Sequence, residues 1–438
     1  MRPLLVLAAA TLSIAAVAGG AIAQPPTFDQ VIESLKSPKP DERMEALKLL
    51  AAAPYPQAEV PVARLLTDPV ATVRLAAIAT EMNCFLGEPL ASRARVAFVI
   101  EVRNRVGAQA AFDQGLLALM PQPLPDEVFR GLLGAVSDPD PRVVREAIYG
   151  LGVVSPLLAG STRAASLTAL GQRLAPALRN ADPTLREAAL QVLHRAFEVY
   201  PVDSPTVDDA LGDAVITEMN DADPGVRAAA VQALGAMQNA RALQALTDRF
   251  QYFKARGDRQ AAPTLAALAR VAHASARPLF EQLVSDPDPA IRAAAIDGLG
   301  RLSDAASISA LVDRLKGERD AHVLLALNFA MARAGGRVPL DTFVAILSNQ
   351  ALATEARQDL LELTATGHTM PDDWTAALRT QDLGTRLELA RLVALAGDAS
   401  LVPVLKPLLN DGDPRIAETA RRGMARLQLV PARSLTRR

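Results

Sequence analysis

Four histidines, one cysteine and a few adjacent carboxylates are the side chains from which this chain could build a catalytic or metal centre. A metal site needs imidazole, thiolate or carboxylate ligands that converge, most recognisably in an HExxH setting or at i, i+3 and i, i+4 spacing on one helix. His194, His273, His322 and His368 stand far apart, and none is read with such a partner. Cys84 is alone, so the chain can form no internal disulfide and no multi-thiolate site, and its apolar setting reads as that of a small buried hydrophobe. Asp208-Asp209 and Asp372-Asp373 sit where helices should begin, and there a carboxylate serves the positive end of the helix dipole. There is no G-x-S-x-G, no P-loop and no G-x-G-x-x-G. The sequence therefore assigns no catalytic residue, no metal ligand and no cofactor.

The elements that would have to carry any site are more legible. Ser285–Gly300 reads SDPDPAIRAAAIDGLG. Asp-Pro-Asp-Pro cannot continue a helix and favours a turn; Asp288 is then a helix cap and Pro289 a first helical residue. Ile291, Ala294, Ala295, Gly298 and Leu299 fall on one thin apolar face, and Gly300 is expected to end the helix. The same sentence recurs at Ser137–Gly152, Asn180–Leu193, Asp221–Gly235 and Thr67–Ala79, and more weakly at Asp411–Met424. Aligned on its arginine, the series runs Arg43, Arg74, Val144, Arg186, Arg227, Arg259, Arg292, Leu324, Arg357, Arg386 and Ala417, with a degenerate unit, the Gly107–Met120 helix, in the longest gap. About 12 units of roughly 35 residues follow, each a first helix, a Pro/Asp turn and a motif helix. First helices are expected at Glu88–Val102, Asp126–Val136, Ala164–Arg179, Thr206–Met219 and Ala274–Val284, among others, with surface loops at Ser155–Thr162, Tyr200–Thr206 and Gln251–Gln260. The Arg256–Asp258 triplet, Arg-Gly-Asp, is too short a match to carry an adhesion assignment.

The D-x-D-P-x-V-R-x-A-A-x-x-A-L-G pattern resembles the HEAT repeat, in the short form also found in phycobilisome lyase-type and bacterial scaffold proteins. The resemblance covers most of the chain. It implies an all-α, right-handed α-solenoid of antiparallel helix pairs with the motif helices on its concave side. It also implies a ladder between neighbouring units built from the motif arginine and the aspartate six residues before it. Asp68 and Arg74, Asp221 and Arg227, and Asp286 and Arg292 match that pattern, with Asn180 and Arg186 close to it. Val144 and Ala417 interrupt the ladder, so their units should be held by packing alone. The His-Glu pairs of the deoxyhypusine hydroxylases, an iron-binding HEAT family, are absent.

Residues 1–23 read as a secretory signal: Arg2, an apolar run from Leu4 to Val17, and a small-x-small Ala21–Ala23 before Gln24. Cleavage after Ala23 would leave a secreted or periplasmic chain with no membrane span, a single elongated repeat domain over 24–430 and a basic tail at 431–438. Half the residues are apolar but only 4% are aromatic, which suits close helix–helix contact, and a net charge of −2 gives no general attraction to nucleic acid. Units about 10 Å apart would form an open arc on the order of 100 Å long. Columns one and five residues after the motif arginine vary and are expected to face the concave side. They include Arg145, Gln191, Gln232 and Asp297, with Tyr149 and Phe329 as aromatic anchors. Trp374 reads as core or convex. The expected function is a non-enzymatic interaction scaffold of the cell envelope that grips a protein or peptide partner. A lyase-like enzyme or enzyme subunit, which would need clustered His, Tyr or carboxylates, and a plain structural spacer are the alternatives.

Overall fold

The computed structural model describes residues 26–52, 55–87, 106–198, 207–302, 305–314, 316–336 and 338–430. The expected signal segment, the Glu88–Val102 helix, the Tyr200–Thr206 loop and the basic tail lie outside them. The described residues form an all-α solenoid: helices follow one another along the chain, and the one extended pairing is a single bridge between Leu86 and Leu119.

Both aspartates of the D-x-D-P phrase have work to do. In Asp286–Pro289 the second, Asp288, caps the Pro289–Arg301 helix by accepting from Ala290 N at 2.9 Å. The first, Asp286, holds the turn by accepting from Asp288 N at 3.0 Å. Asp138/Asp140, Asp221/Asp223 and Asp411/Asp413 repeat this division. A capping carboxylate satisfies helical N–H groups that have no partner within the helix, and proline costs nothing at a position whose N–H is unused.

The first aspartate also receives the previous unit. Arg74 reaches Asp138 at 2.6 Å, Arg186 reaches Asp221 at 2.8 Å, Arg386 reaches Asp411 at 3.0 Å, and Arg43 reaches Asp68 at 2.7 Å. With its other nitrogen each arginine donates to the carbonyl six residues before it, as Arg74 does to Asp68 O, Arg227 to Asp221 O and Arg292 to Asp286 O. Arg43, Arg74, Arg186, Arg292 and Arg386 thus each tie their own turn to an acid beyond it. Glu318 takes the acid's place for Arg292 at 3.1 Å, and Lys254 takes the cation's place for Asp286 at 2.7 Å. The units of Val144 and Ala417 are not held by packing alone, because Asp138 and Asp411 still accept from the unit before.

Two local expectations are corrected. The Pro289–Arg301 helix runs through Gly300, which is there for proximity: a Cβ on it would lie 2.6 Å from Ala330 Cα in the neighbouring motif helix. Gly235 similarly faces Ala267, at 2.8 Å. The first half of the loop expected over Gln251–Gln260 is helix, since Leu243–Ala255 is continuous, while Arg256–Gln260 turns as expected. Trp374 is fully buried and donates to Thr369 Oγ1 at 3.0 Å.

The open arc expected from the unit count does not form; the array closes on itself. The motif helices Leu383–Ala396 and Pro414–Leu427 meet the N-terminal third of the chain across the concave side. Arg391 Nη1 donates to Leu117 O at 2.7 Å, Arg422 Nη1 to Gln122 Oε1 at 2.5 Å and Arg426 Nη2 to Pro156 O at 3.2 Å, while Gly160 abuts the Leu429 carbonyl. Gln122 also donates to Glu59 at 2.6 Å, and burial holds the Glu59 carboxyl up to about 7 against the pull of Gln122 and Arg422. Tyr149, packed on Phe112 of the adjacent helix, is only 8% exposed, and Phe329, beneath Arg301 of the adjacent motif helix, is not exposed at all.

Candidate functional site

Closure covers part of the concave face and leaves a groove of about 750 Å³ along the motif helices between His194 and Asp359. Its floor is alanine, from Ala262 and Ala266 through Ala293 and Ala294 to Ala326, because thin residues at these helical positions bring backbones close to the surface. Its lining also carries the cations Arg259, Arg270 and Arg301 and the acidic groups Asp297, Glu355 and Asp359. A second, smaller hollow of about 420 Å³, beside Phe112, Gln191 and Leu392, shares His194, Gln232 and Gln358 with it. The two are separated by a bridge across the closed array, Gln358 Nε2 donating to Glu198 Oε1 at 2.6 Å.

Of the six residues expected to bind a partner, Gln232 and Asp297 line the groove and Gln191 the smaller hollow. Arg145 is exposed outside both. Tyr149 packs on Phe112 with centroids 5.5 Å apart, and Phe329 lies beneath the Arg301 guanidinium at 4.7 Å. Neither aromatic faces solvent: each packs against a neighbouring helix, Tyr149 against Ala108–Asp113 and Phe329 against Pro289–Arg301. Column five does point inward, but the residues that matter in it include Glu362, Arg391 and Arg422 as well.

Beneath the groove lies an ion network assembled from several units. Arg301 grips Glu362 through Nε and Nη2, at 3.0 and 2.8 Å. Burial alone would raise the Glu362 carboxyl, but Arg301, Arg270 and Arg333 outweigh it and hold it below its ordinary value. Glu198 is kept low in the same way: burial is opposed by His194, Arg270 and Arg195. His194 Nε2 stands 3.5 Å from Glu198, four residues on along one helix. The sequence reading missed that pair, although its i, i+4 spacing was there to be seen. Among the described residues no three histidine, cysteine, aspartate or glutamate side chains form a metal-binding group.

Asp297 and Asp359 behave differently. Although 27% of the Asp297 side chain faces the groove, burial lifts its carboxyl to about 6, Arg301 at 3.9 Å drawing it down and Glu362 pushing it up. Burial and the nearby Asp297 push Asp359 well above the carboxylate range. The folded chain therefore binds the Asp297 proton more tightly than the unfolded chain does. Stability from this group is complete below about pH 4 and lost as pH rises through about 6. Asp297→Asn removes the liability: the variant should exceed the wild type by about 1–2 kcal/mol near pH 7.5, with the gap closing near pH 4. Urea melts across that range would show it, and a gap independent of pH would contradict it.

The family of HEAT repeats matches at residues 171–266 and 261–332. No curated protein matches the chain. Solved structures similar to it include an engineered protein, 15% identical over 91% of this chain and 98% of that one, with a TM-score of 0.34. A designed armadillo repeat protein in complex with the peptide (KR)4 is 17% identical over 62% of this chain and 98% of its own, TM-score 0.34. A structure from work on a phosphorylation switch between cadherin and beta-catenin is 13% identical over 91% and 94%, TM-score 0.39. Among the described residues no helix is long and apolar enough to cross a membrane.

Proposed function

We propose that this chain, a HEAT-repeat protein, is a non-catalytic interaction scaffold of the cell envelope that seats an extended segment of a protein partner in its inner groove. The observation that carries the reading is the groove itself: an alanine floor with the cations Arg259, Arg270 and Arg301 and the acidic groups Asp297, Glu355 and Asp359 in its lining. Such a surface favours backbone-close contact with a peptide and offers both cationic and acidic partners to its side chains. Export, read from residues 1–23, places the partner in the envelope.

The raised carboxyls of Asp297 and Asp359 favour a second reading, a lyase-like enzyme acting in the same groove, because paired acids of perturbed affinity are common at catalytic centres. Affinity capture from an envelope fraction separates the two when run beside Ala293→Trp, which fills the groove from its half-buried floor. The scaffold reading expects a captured protein that is recovered chemically unchanged and is reduced about tenfold or more by Ala293→Trp at unchanged helicity. Equal capture by the variant would overturn the groove assignment, and turnover of the captured molecule would favour the enzyme.

A further inference from the structure

The inter-unit ladder is open at Arg227. Arg227 makes the half of the contact that faces its own unit, donating through Nη1 to Asp221 O and to Ala222 O, both at 2.8 Å. Its counterparts Arg186 and Arg292 then reach an acid in the following unit; Arg227 does not. In the following unit Asp258 occupies the turn position that Asp286 holds in the next, accepting from Gln260 N two residues on at 2.9 Å. No ion pair joins it to Arg227; the preceding helix, Leu243–Ala255, has 13 residues where Arg277–Leu283 has 7, and ends in a turn through Gly257 at φ +60°.

A groove of about 790 Å³ opens where the rung should close, with Arg227 and Asp258 both in its lining. Two more guanidiniums enter it. Arg249 donates to Met219 O and to Asn220 Oδ1, and Arg256 lies 3.7 Å over the Tyr252 ring. Among the described residues no carboxylate is within ion-pair distance of Arg227, Arg249 or Arg256. Burial and the positive charge of Arg227 together weaken the hold of Arg249 on its proton, as expected where cations crowd without an anion. Asp248 and Asp258 line the same groove, but the first is bound by Gln244 and the second by its own turn. The floor is apolar, from Ile216, Val231 and Phe253, and Tyr252 at the rim is 51% exposed.

We propose that this groove binds an acidic peptide segment of a partner protein, one carboxylate taking the empty place against Arg227 and an adjacent apolar side chain lying on Phe253 and Tyr252. The argument comes from the chain's own pattern: the arginines of the same motif at Arg43, Arg74, Arg186, Arg292 and Arg386 each have an acid in this place. The site is separate from the inner groove, and its occupancy does not depend on what that groove holds. A guanidinium whose geometry is already set by two carbonyls loses little freedom on binding a carboxylate, and the contact should weaken with salt.

The test is fluorescence anisotropy with the full chain and two labelled decapeptides, one rich in Glu, Asp and Leu, the other its Gln/Asn counterpart. The acidic peptide should bind about tenfold tighter or more than the amide one, and Arg227→Gln and the exposed Arg256→Ala should each weaken it by about five- to tenfold. Asp258→Asn, which removes a like charge from the groove, should leave binding equal or tighter. Circular dichroism checks that Arg227→Gln remains folded; Arg256→Ala, on a solvent-facing turn, keeps the test valid if it does not. Equal binding of the two peptides, no binding of the acidic one at millimolar concentration, or wild-type binding by both arginine variants would overturn the proposal.

Discussion

Arg426→Leu should lose about 2–4 kcal/mol of folding stability, whereas Arg421→Ala, one turn earlier on the same helix, should change it by less than about 0.5 kcal/mol. By sequence alone the two arginines look alike. Arg421 lies on the surface and pairs only with Glu418 in its own helix. Arg426 has no exposed surface and donates to Ala394 O at 2.8 Å and to Pro156 O at 3.2 Å, so it joins the neighbouring motif helix to the far side of the closed array. A buried guanidinium is tolerated only when its donors find acceptors, and those carbonyls in turn would be left without it. Leucine fills most of the space but satisfies neither carbonyl. Chemical denaturation of the two variants checks the difference, and equal, small effects would mean that the closing contact contributes nothing.

The second large effect is a reversal of sign. Helix propensity says that Gly→Ala inside a helix should stabilise by up to about 1 kcal/mol. Gly134→Ala should follow that rule, since a Cβ there meets nothing within 4 Å. Gly300→Ala should do the opposite and cost about 1–3 kcal/mol, because its Cβ would arrive 2.6 Å from Ala330 Cα and 2.8 Å from Ala330 Cβ. A backbone atom cannot swing aside as a long side chain can, so the two motif helices must separate. Thermal melts of the pair test it; two substitutions that both stabilise would show that neighbouring motif helices are less tightly apposed than described.

These two cases mark what could be read from the sequence and what could not. The Asp-Pro caps, the motif helices and the inward column at Gln232, Asp297 and Glu362 were legible because each depends on residues within one turn of helix. The role of Gly300 was misread because a terminating glycine and a close-packed glycine look alike in sequence, and only the position of Ala330 separates them. The ladder was visible as residue types, but its opening at Arg227 was not: the helix before Asp258 runs on through Gln251–Ala255, residues expected to be loop. Closure was the least legible feature. It accumulates from small rotations between successive units, and no single residue announces it. Tyr149 and Phe329 read as solvent-facing from their column because the groups that cover them, Phe112 and Arg301, belong to neighbouring units.

Closure is also what defines the inner groove, so the most direct measurement is of the contact between the two ends. Ser161→Cys and Leu429→Cys place two exposed thiols on either side of it, next to the Gly160–Leu429 contact. The native Cys84 is buried and its thiol is pushed up by that burial and by Glu81 and Glu59, so it does not compete. At dilute protein a short bismaleimide should join the two introduced cysteines within a single chain. Cross-links only between chains, or none at all, would mean that the array is an open arc and that the groove described here does not exist in solution.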